Sequence, residues 1–284
     1  MITRLVKRLK KPPQEGTQPY IPEGQRVYCI GDIHGRADLL EEIHRQIFAD
    51  AEGFEGKKYV VYLGDFVDRG PHTKQVLDLL LEQPLPGFEA VYLQGNHEQI
   101  MLSFIEHPEA TASWLNFGGR EALNSYGIPL AHIPGSAEVF ALANRLDQVL
   151  PDSHREFLQS CATSWRCGSY YFVHAGIRPG VALGQQLPED QLWIRDEFLD
   201  SKKDHGAIVV HGHSIVAEPE FLPNRIGLDT GAFRSGVLTC LVLEGAQQRI
   251  LQTCEPRSRD IVVGGPLGPT DPGLEPRPRR DIAT

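Results

Sequence analysis

Three short apolar runs, each followed by a stretch of helical period, constrain this chain more than any other feature. Residues 26–30 (RVYCI), 59–63 (YVVYL) and 90–94 (AVYLQ) are short, rich in β-branched and aromatic residues, and read as buried strands. Leu39, Leu40, Ile43 and Ile47 recur at helical spacing after the first run, and Val76, Leu77, Leu80 and Leu81 after the second. Residues 100–105 begin a third helix. This β-α-β-α-β alternation predicts an α/β fold around a largely parallel sheet with right-handed crossovers. Further on, YYFVH, AIVVHGH and GVLTCLVL read as strands, and EGAQ joins the last of them to QRILQT as a hairpin. Residues 108–164 are helical in pattern and hold no evident cluster of catalytic residue types.

The flanks differ in composition. Residues 1–24 combine five Lys/Arg with Pro and Gly and predict a flexible basic arm. Residues 255–284 are dense in Pro and Gly and predict disorder. One folded domain, 25–254, remains between them. The chain has no apolar run near the roughly 20 residues that span a bilayer, and its start lacks the apolar core of a secretory signal. Five cysteines, an odd number without a C-x-x-C pair, fit a reducing, cytoplasmic setting. A net charge of −9 argues against a general nucleic-acid binder, and neither a nucleic-acid nor a membrane partner is expected.

Each of the first three strands runs into a glycine and then into polar residues: Gly31-Asp32-Ile33-His34-Gly35, Gly64-Asp65-Phe66-Val67-Asp68-Arg69-Gly70 and Gly95-Asn96-His97-Glu98. Two later strands end in His174-Ala175-Gly176 and His211-Gly212-His213. In open α/β sheets the ligand crevice lies beyond the carboxyl ends of the strands, so these segments should converge there. Any one of them alone would be an ordinary turn, helix cap or core histidine. Five together predict a metal centre of carboxylate, imidazole and amide ligands, a donor set that suits manganese, iron or zinc. Calcium would call for oxygen ligands only, and a structural zinc knot for cysteine.

In order and spacing, GDIHG, GDFVDRG, GNHE, HAG and GHS resemble the phosphoprotein phosphatase branch of the calcineurin-like metallophosphoesterases, particularly its compact bacterial and phage-type serine/threonine phosphatases. The resemblance implies a β-sandwich of two mixed sheets flanked by helices. It implies two divalent metal ions, manganese first and iron or zinc next, that activate water for direct in-line attack on phosphorus. Asp32 and His34 match ligands of the first ion, Asp65 the carboxylate bridging both, and Asn96, His174 and His213 the remaining ligands. Arg69 matches a phosphate-clamping arginine, and Arg195, in Trp193-Ile194-Arg195, a second one. His97 matches the histidine that faces the leaving group, and Asp68 its supporting carboxylate. No role follows for His211. Ser214 departs from the threonine that many relatives carry beside the last ligand.

The expected substrate is a phosphoprotein or phosphopeptide. The runner-up is a dinucleoside polyphosphate, hydrolysed by the same superfamily with the same metal motifs. An inactive phosphatase fold that only binds partners is a more distant alternative, because every ligand type is present.

Overall fold

The computed structural model describes residues 18–253, except residues 83, 84, 131 and 133. The predicted C-terminal tail, and residues 1–17 of the predicted arm, lie outside the described residues.

Ten strands form two five-stranded sheets. The first contains β1 (Gln25–Ile30), β2 (Lys57–Tyr62), β3 (Phe88–Tyr92), β9 (Thr239–Glu244) and β10 (Gln247–Gln252), in the order β10-β9-β1-β2-β3. The second contains β4 (Ser164–Cys167), β5 (Tyr170–Val173), β6 (Ile208–His211), β7 (Glu220–Phe221) and β8 (Arg225–Gly227), in the order β4-β5-β6-β8-β7. Each sheet is mixed. β1, β2 and β3 are parallel, while β9 and β10 join antiparallel as the predicted hairpin. β5, β6 and β8 are parallel between the antiparallel edge strands β4 and β7.

Side-chain alternation along these strands makes four layers. Val27, Cys29, Val61, Leu63, Leu241 and Leu243 face Tyr170, Phe172, Val210 and Ile226 and fill the space between the sheets. Tyr28, Ile30, Val60, Tyr62, Cys240 and Val242 point the other way. They meet a layer built from α1 (Ala37–Asp50), α2 (Thr73–Glu82), α3 (Asn96–Glu106), α4 (Gly119–Ser125), α5 (Ser136–Val149) and α6 (Asp152–Ser160). On the far side, Tyr171, Val173 and Val209 pack beneath Ile194 and Phe198, which belong to the segment carrying α7 (Pro188–Trp193) and α8 (Asp196–Leu199). A last short helix, α9 (Ala232–Ser235), precedes β9. Burial on both faces explains why the central strands read as unbroken apolar runs. The expected two-sheet sandwich flanked by helices is the fold of this chain.

Two boundaries move. The arm expected over residues 1–24 packs on the domain at Tyr20 and Ile21. Ile21 is 1% exposed in the inter-sheet core. Its amide donates to the Gly245 carbonyl, while the Tyr20 carbonyl accepts from the Ser169 amide. One apolar side chain among basic and proline-rich neighbours gave no periodic signal. The third helix starts at Asn96 rather than Ile100, so Asn96, His97 and Glu98 form its first turn. No helix among the described residues is long and apolar enough to cross a membrane.

Candidate metal centre

The carboxyl ends of the parallel strands of both sheets deliver the site. Asp32 and His34 follow β1, Asp65, Asp68 and Arg69 follow β2, and Asn96 and His97 open α3 just after β3. From the second sheet, His174 follows β5 and His213 lies two residues beyond β6. Among the described residues the non-glycine positive-φ positions are His34 (45°), Asp65 (51°), Asp68 (71°), Arg69 (65°) and His213 (62°). Every one of them is a residue singled out from sequence. A left-handed backbone at a side-chain-bearing residue costs of order 1 kcal/mol or more and persists where the surroundings impose it.

Asp65 is the hub. His34 Nε2 lies 3.4 Å and His97 Nε2 3.9 Å from its Oδ2, and His174 Nε2 lies 3.4 Å from its Oδ1. Two ligand-competent triads result, His34–Asp65–His97 and Asp65–His174–His213, both buried and sharing this carboxylate. Asn96 Oδ1 sits 3.0 Å from His174 Nε2. Asp32 Oδ2 accepts the His213 amide at 3.0 Å, tying the first sheet to the second. Gly212 permits that approach, since a Cβ there would lie 2.0 Å from Asp32 Oδ1.

Donor chemistry tests whether cations fit. The Nδ1–H of His34 donates to the Val67 carbonyl and that of His174 to the Leu63 carbonyl, both at 2.9 Å. This tautomer leaves each Nε2 lone pair directed into the site. Asp32 Oδ1, His34 Nε2 and His213 Nε2 are buried without a hydrogen-bond partner among the described residues. Burial holds the His34 and His213 imidazoles down, to about 3 and about 2, and lowers His174 as well. All three are therefore neutral at physiological pH, the form that ligates metals. Burial alone would raise the Asp65 pKa, yet His174, His97, His34 and His213 together hold it below the ordinary carboxylate range. Asp32 is pushed well up, first by burial and then by Asp229 and Asp65. Three buried carboxylates beside orphaned imidazole nitrogens form an anionic cage whose natural complement is divalent cations. The residues fit two such ions.

Beside this cage His97 is held from both ring nitrogens. Its Nδ1–H donates to Asp68 Oδ2 at 2.6 Å, and Arg69 Nη2 donates to its Nε2 at 3.0 Å. Burial opposes the charged imidazolium, but Asp65 and Asp68 outweigh it and raise the His97 pKa to about 9. Protonation of Nε2 turns it into a donor and releases the Arg69 guanidinium. The Arg69 Cζ lies 4.9 Å from the centroid of the Phe233 ring, which stands nearly perpendicular to the His34 ring with centroids 5.5 Å apart. Next to it opens a pocket of about 360 Å³ lined by Arg69, Asn116, Phe117, Gly118, Glu121 and Phe233. Phe117 is 61% exposed there. A larger cavity, of about 620 Å³, lies between α1 and α2 and is lined by none of the predicted site residues.

The two remaining predicted positions are less central. Arg195 is exposed at the start of α8 and makes no side-chain hydrogen bond among the described residues, though its charge helps to lower the His174 and His213 pKa values. His211 turns away from the cage. Its ring packs edge-on against Phe198 and accepts from Arg225 Nη1 at 3.3 Å.

Three participants carry no assigned role in the sequence reading, although Glu98 stands in the GNHE motif and Trp114 opens a stretch read there as packing or, less favoured, as part of a substrate groove. The Glu98 carboxylate accepts the amides of Asp65, Phe66, Val67 and Gly95 at 2.7–3.2 Å, clamping the loop after β2 to the head of α3. Burial and Asp65 act to raise its pKa, and these bonds act against them. With both oxygens engaged by N–H donors, the carboxylate is the form the fold binds. Trp114 donates from Nε1 to Asp68 Oδ2 at 2.7 Å. Asp229, two residues after β8, is 1% exposed, and burial raises its pKa to about 6. It repeats the strand-then-aspartate pattern of Asp32 and Asp65, but the short run RIGL before it, broken by glycine, did not read as a strand.

A two-sheet sandwich whose parallel strands deliver carboxylates, histidines and an asparagine to one buried cage defines a metal-dependent phosphoesterase. The sequence model of the calcineurin-like phosphoesterase family matches residues 25–232, and the chain belongs to that family. Curated relatives include a protein of Bacillus mycoides named bis(5'-nucleosyl)-tetraphosphatase PrpE, asymmetrical, 24% identical over 241 residues. A Bacillus thuringiensis protein of the same name is 25% identical over 240 residues. Each alignment covers 75% of this chain and 88% of the relative. Among solved structures, one provisionally assigned as a diadenosine tetraphosphatase superposes with a TM-score of 0.55 at 21% identity, covering 81% of this chain and 94% of its own. A cold-active protein-tyrosine phosphatase of a psychrophilic Shewanella gives a TM-score of 0.50 at 16% identity, covering 86% and 89%. These superpositions speak for the fold.

Proposed function

We propose that the chain hydrolyses dinucleoside polyphosphates asymmetrically, splitting a tetraphosphate bridge into a nucleoside monophosphate and a nucleoside triphosphate. Asp32, His34, Asp65, Asn96, His174 and His213 would hold two divalent ions, which when bound would supply positive charge and an activated water. Arg69 and Arg195 neutralise the phosphoryl oxygens, a task suited to the planar guanidinium. His97, backed by Asp68, protonates the departing oxygen.

The observation that carries the substrate class is the pocket beside Arg69. Its lining phenyl groups, Phe117 and Phe233, adjoin the arginine that would grip phosphate. A nucleoside attached to that phosphate would set its base there, where aromatic stacking is sequence-tolerant and effective. The names of the curated relatives support the same class, which the sequence reading carried as its runner-up behind phosphoproteins. A protein phosphatase is the second reading, favoured by the intact Asp68–His97 pair, because an alkoxide leaving group needs a proton most.

Turnover of diadenosine tetraphosphate and of a phosphoserine peptide, each with manganese, tests the choice. The expected result is a kcat/KM at least about ten-fold higher for the dinucleotide, with AMP and ATP formed in equal amounts. The opposite order of kcat/KM would overturn the proposal in favour of the second reading, and ADP as the product would overturn the asymmetric cleavage.

A further inference from the structure

We infer that Trp114 is a positioning residue for proton delivery, acting on His97 through Asp68. Its indole N–H and the His97 Nδ1–H converge on the same oxygen, Asp68 Oδ2, at 2.7 and 2.6 Å. Asp68 is fully buried, and its other oxygen has no hydrogen-bond partner among the described residues. Those two donors are therefore what fixes the carboxylate plane. An indole N–H only donates, so it selects the acceptor form of Asp68 and keeps the His97 proton on Nδ1. Nε2 then faces the reacting phosphoryl group.

The indole itself cannot swing. It is 1% exposed and lies 4.8 Å, centroid to centroid, from the Phe104 ring of α3. On another side Gly119 opens α4 so close that a Cβ there would sit 2.4 Å from an indole carbon. The backbone of Asp68 is fixed as well, since its amide donates to Thr73 Oγ1 at 3.0 Å. Trp114 thus sets the azimuth of the carboxylate, and through it the aim of the imidazole, from the helical layer rather than from the ligand cage.

The inference rests on His97 as the proton donor, and the test separates the two claims. Wild type, Trp114→Phe, His97→Ala, Asp68→Asn and the Trp114→Phe/Asp68→Asn double variant are compared on p-nitrophenyl phosphate and phenyl phosphate. The second has the poorer leaving group and needs the proton more. Trp114→Phe is expected to lower kcat about ten-fold on phenyl phosphate and less than about three-fold on p-nitrophenyl phosphate, with KM unchanged. In the Asp68→Asn background the same change should have no further effect.

An equal loss on both substrates, or a loss that persists without the Asp68 carboxylate, would show that the indole only packs. If His97→Ala itself shows no leaving-group dependence, the role of His97 fails and this inference with it. If His97→Ala shows it and Trp114→Phe does not, this inference alone fails. Should Trp114→Phe lose its cooperative melting transition, β-(3-benzothienyl)alanine at position 114 keeps the bicyclic shape without the N–H and decides the matter.

Discussion

At the residue scale, one carboxylate dominates. Asp65 answers to four histidines and stands in both ligand triads. Asp65→Asn keeps the shape but removes the charge that both triads share. We expect it to lower turnover by at least about three orders of magnitude and to reduce bound metal, measured by elemental analysis of folded protein. Near-normal turnover would remove Asp65 from the centre of the chemistry. Such residues were readable from sequence because each follows its own strand in a short motif, as in Gly31-Asp32 and Gly64-Asp65. The bond of Trp114 to Asp68 was not, because the two lie 46 positions apart and only the packing of α3 and α4 against the loop after β2 brings them together. The strained backbone at His34, Asp65, Asp68, Arg69 and His213 was equally hidden, since nothing in a side-chain pattern signals a left-handed turn.

At the scale of elements, the loop after β2 and the head of α3 behave as one unit through Glu98. Glu98→Gln places an amide NH2 where the carboxylate met only donors. The expected cost is about 3 kcal/mol, a fall in Tm of several degrees. An unchanged Tm would show that the clamp contributes little. On α1, His44 Nε2 lies 2.8 Å from the Tyr62 hydroxyl, and burial holds the imidazole down to about 4. The unfolded chain would protonate it near its ordinary value of about 6.5. It follows that the folded state binds fewer protons between those values, and the His44 contribution to stability is complete above pH 6.5 and drains away toward pH 4. Denaturant titrations should therefore give a shallower loss of stability over that window for His44→Gln than for wild type. Parallel slopes would contradict the shift. Element types were legible here from periodicity. Their exact ends, such as Asn96 for α3, depended on tertiary bonds.

For the whole molecule, the anionic cage makes metal a structural component as well as a chemical one. Asp32, Asp65 and Asp229 are all buried. Chelation removes the stabilisation that bound ions give the folded state, so apo protein should melt about 5–10 °C below the manganese-loaded form when free metal is ~100-fold above its dissociation constant. Scanning calorimetry with and without chelator measures this, and coincident transitions would mean the cage tolerates its own charge. The two-sheet architecture came from a family resemblance rather than from periodicity, which shows strands but not how they divide between sheets. The seating of Ile21 was likewise a property of the assembled sandwich.

That Asp32 bonds to His213 across the interface has a mechanical consequence. If the proposed ligands from both sheets hold a pair of ions, those ions act as a rivet through the sandwich. Anything that lets one layer slide on the other then loosens the grip on the ions. A truncation as remote as Ile21→Ala, at the far margin of the shared core, would register as weaker manganese binding in a calorimetric titration, without any ligand having been touched.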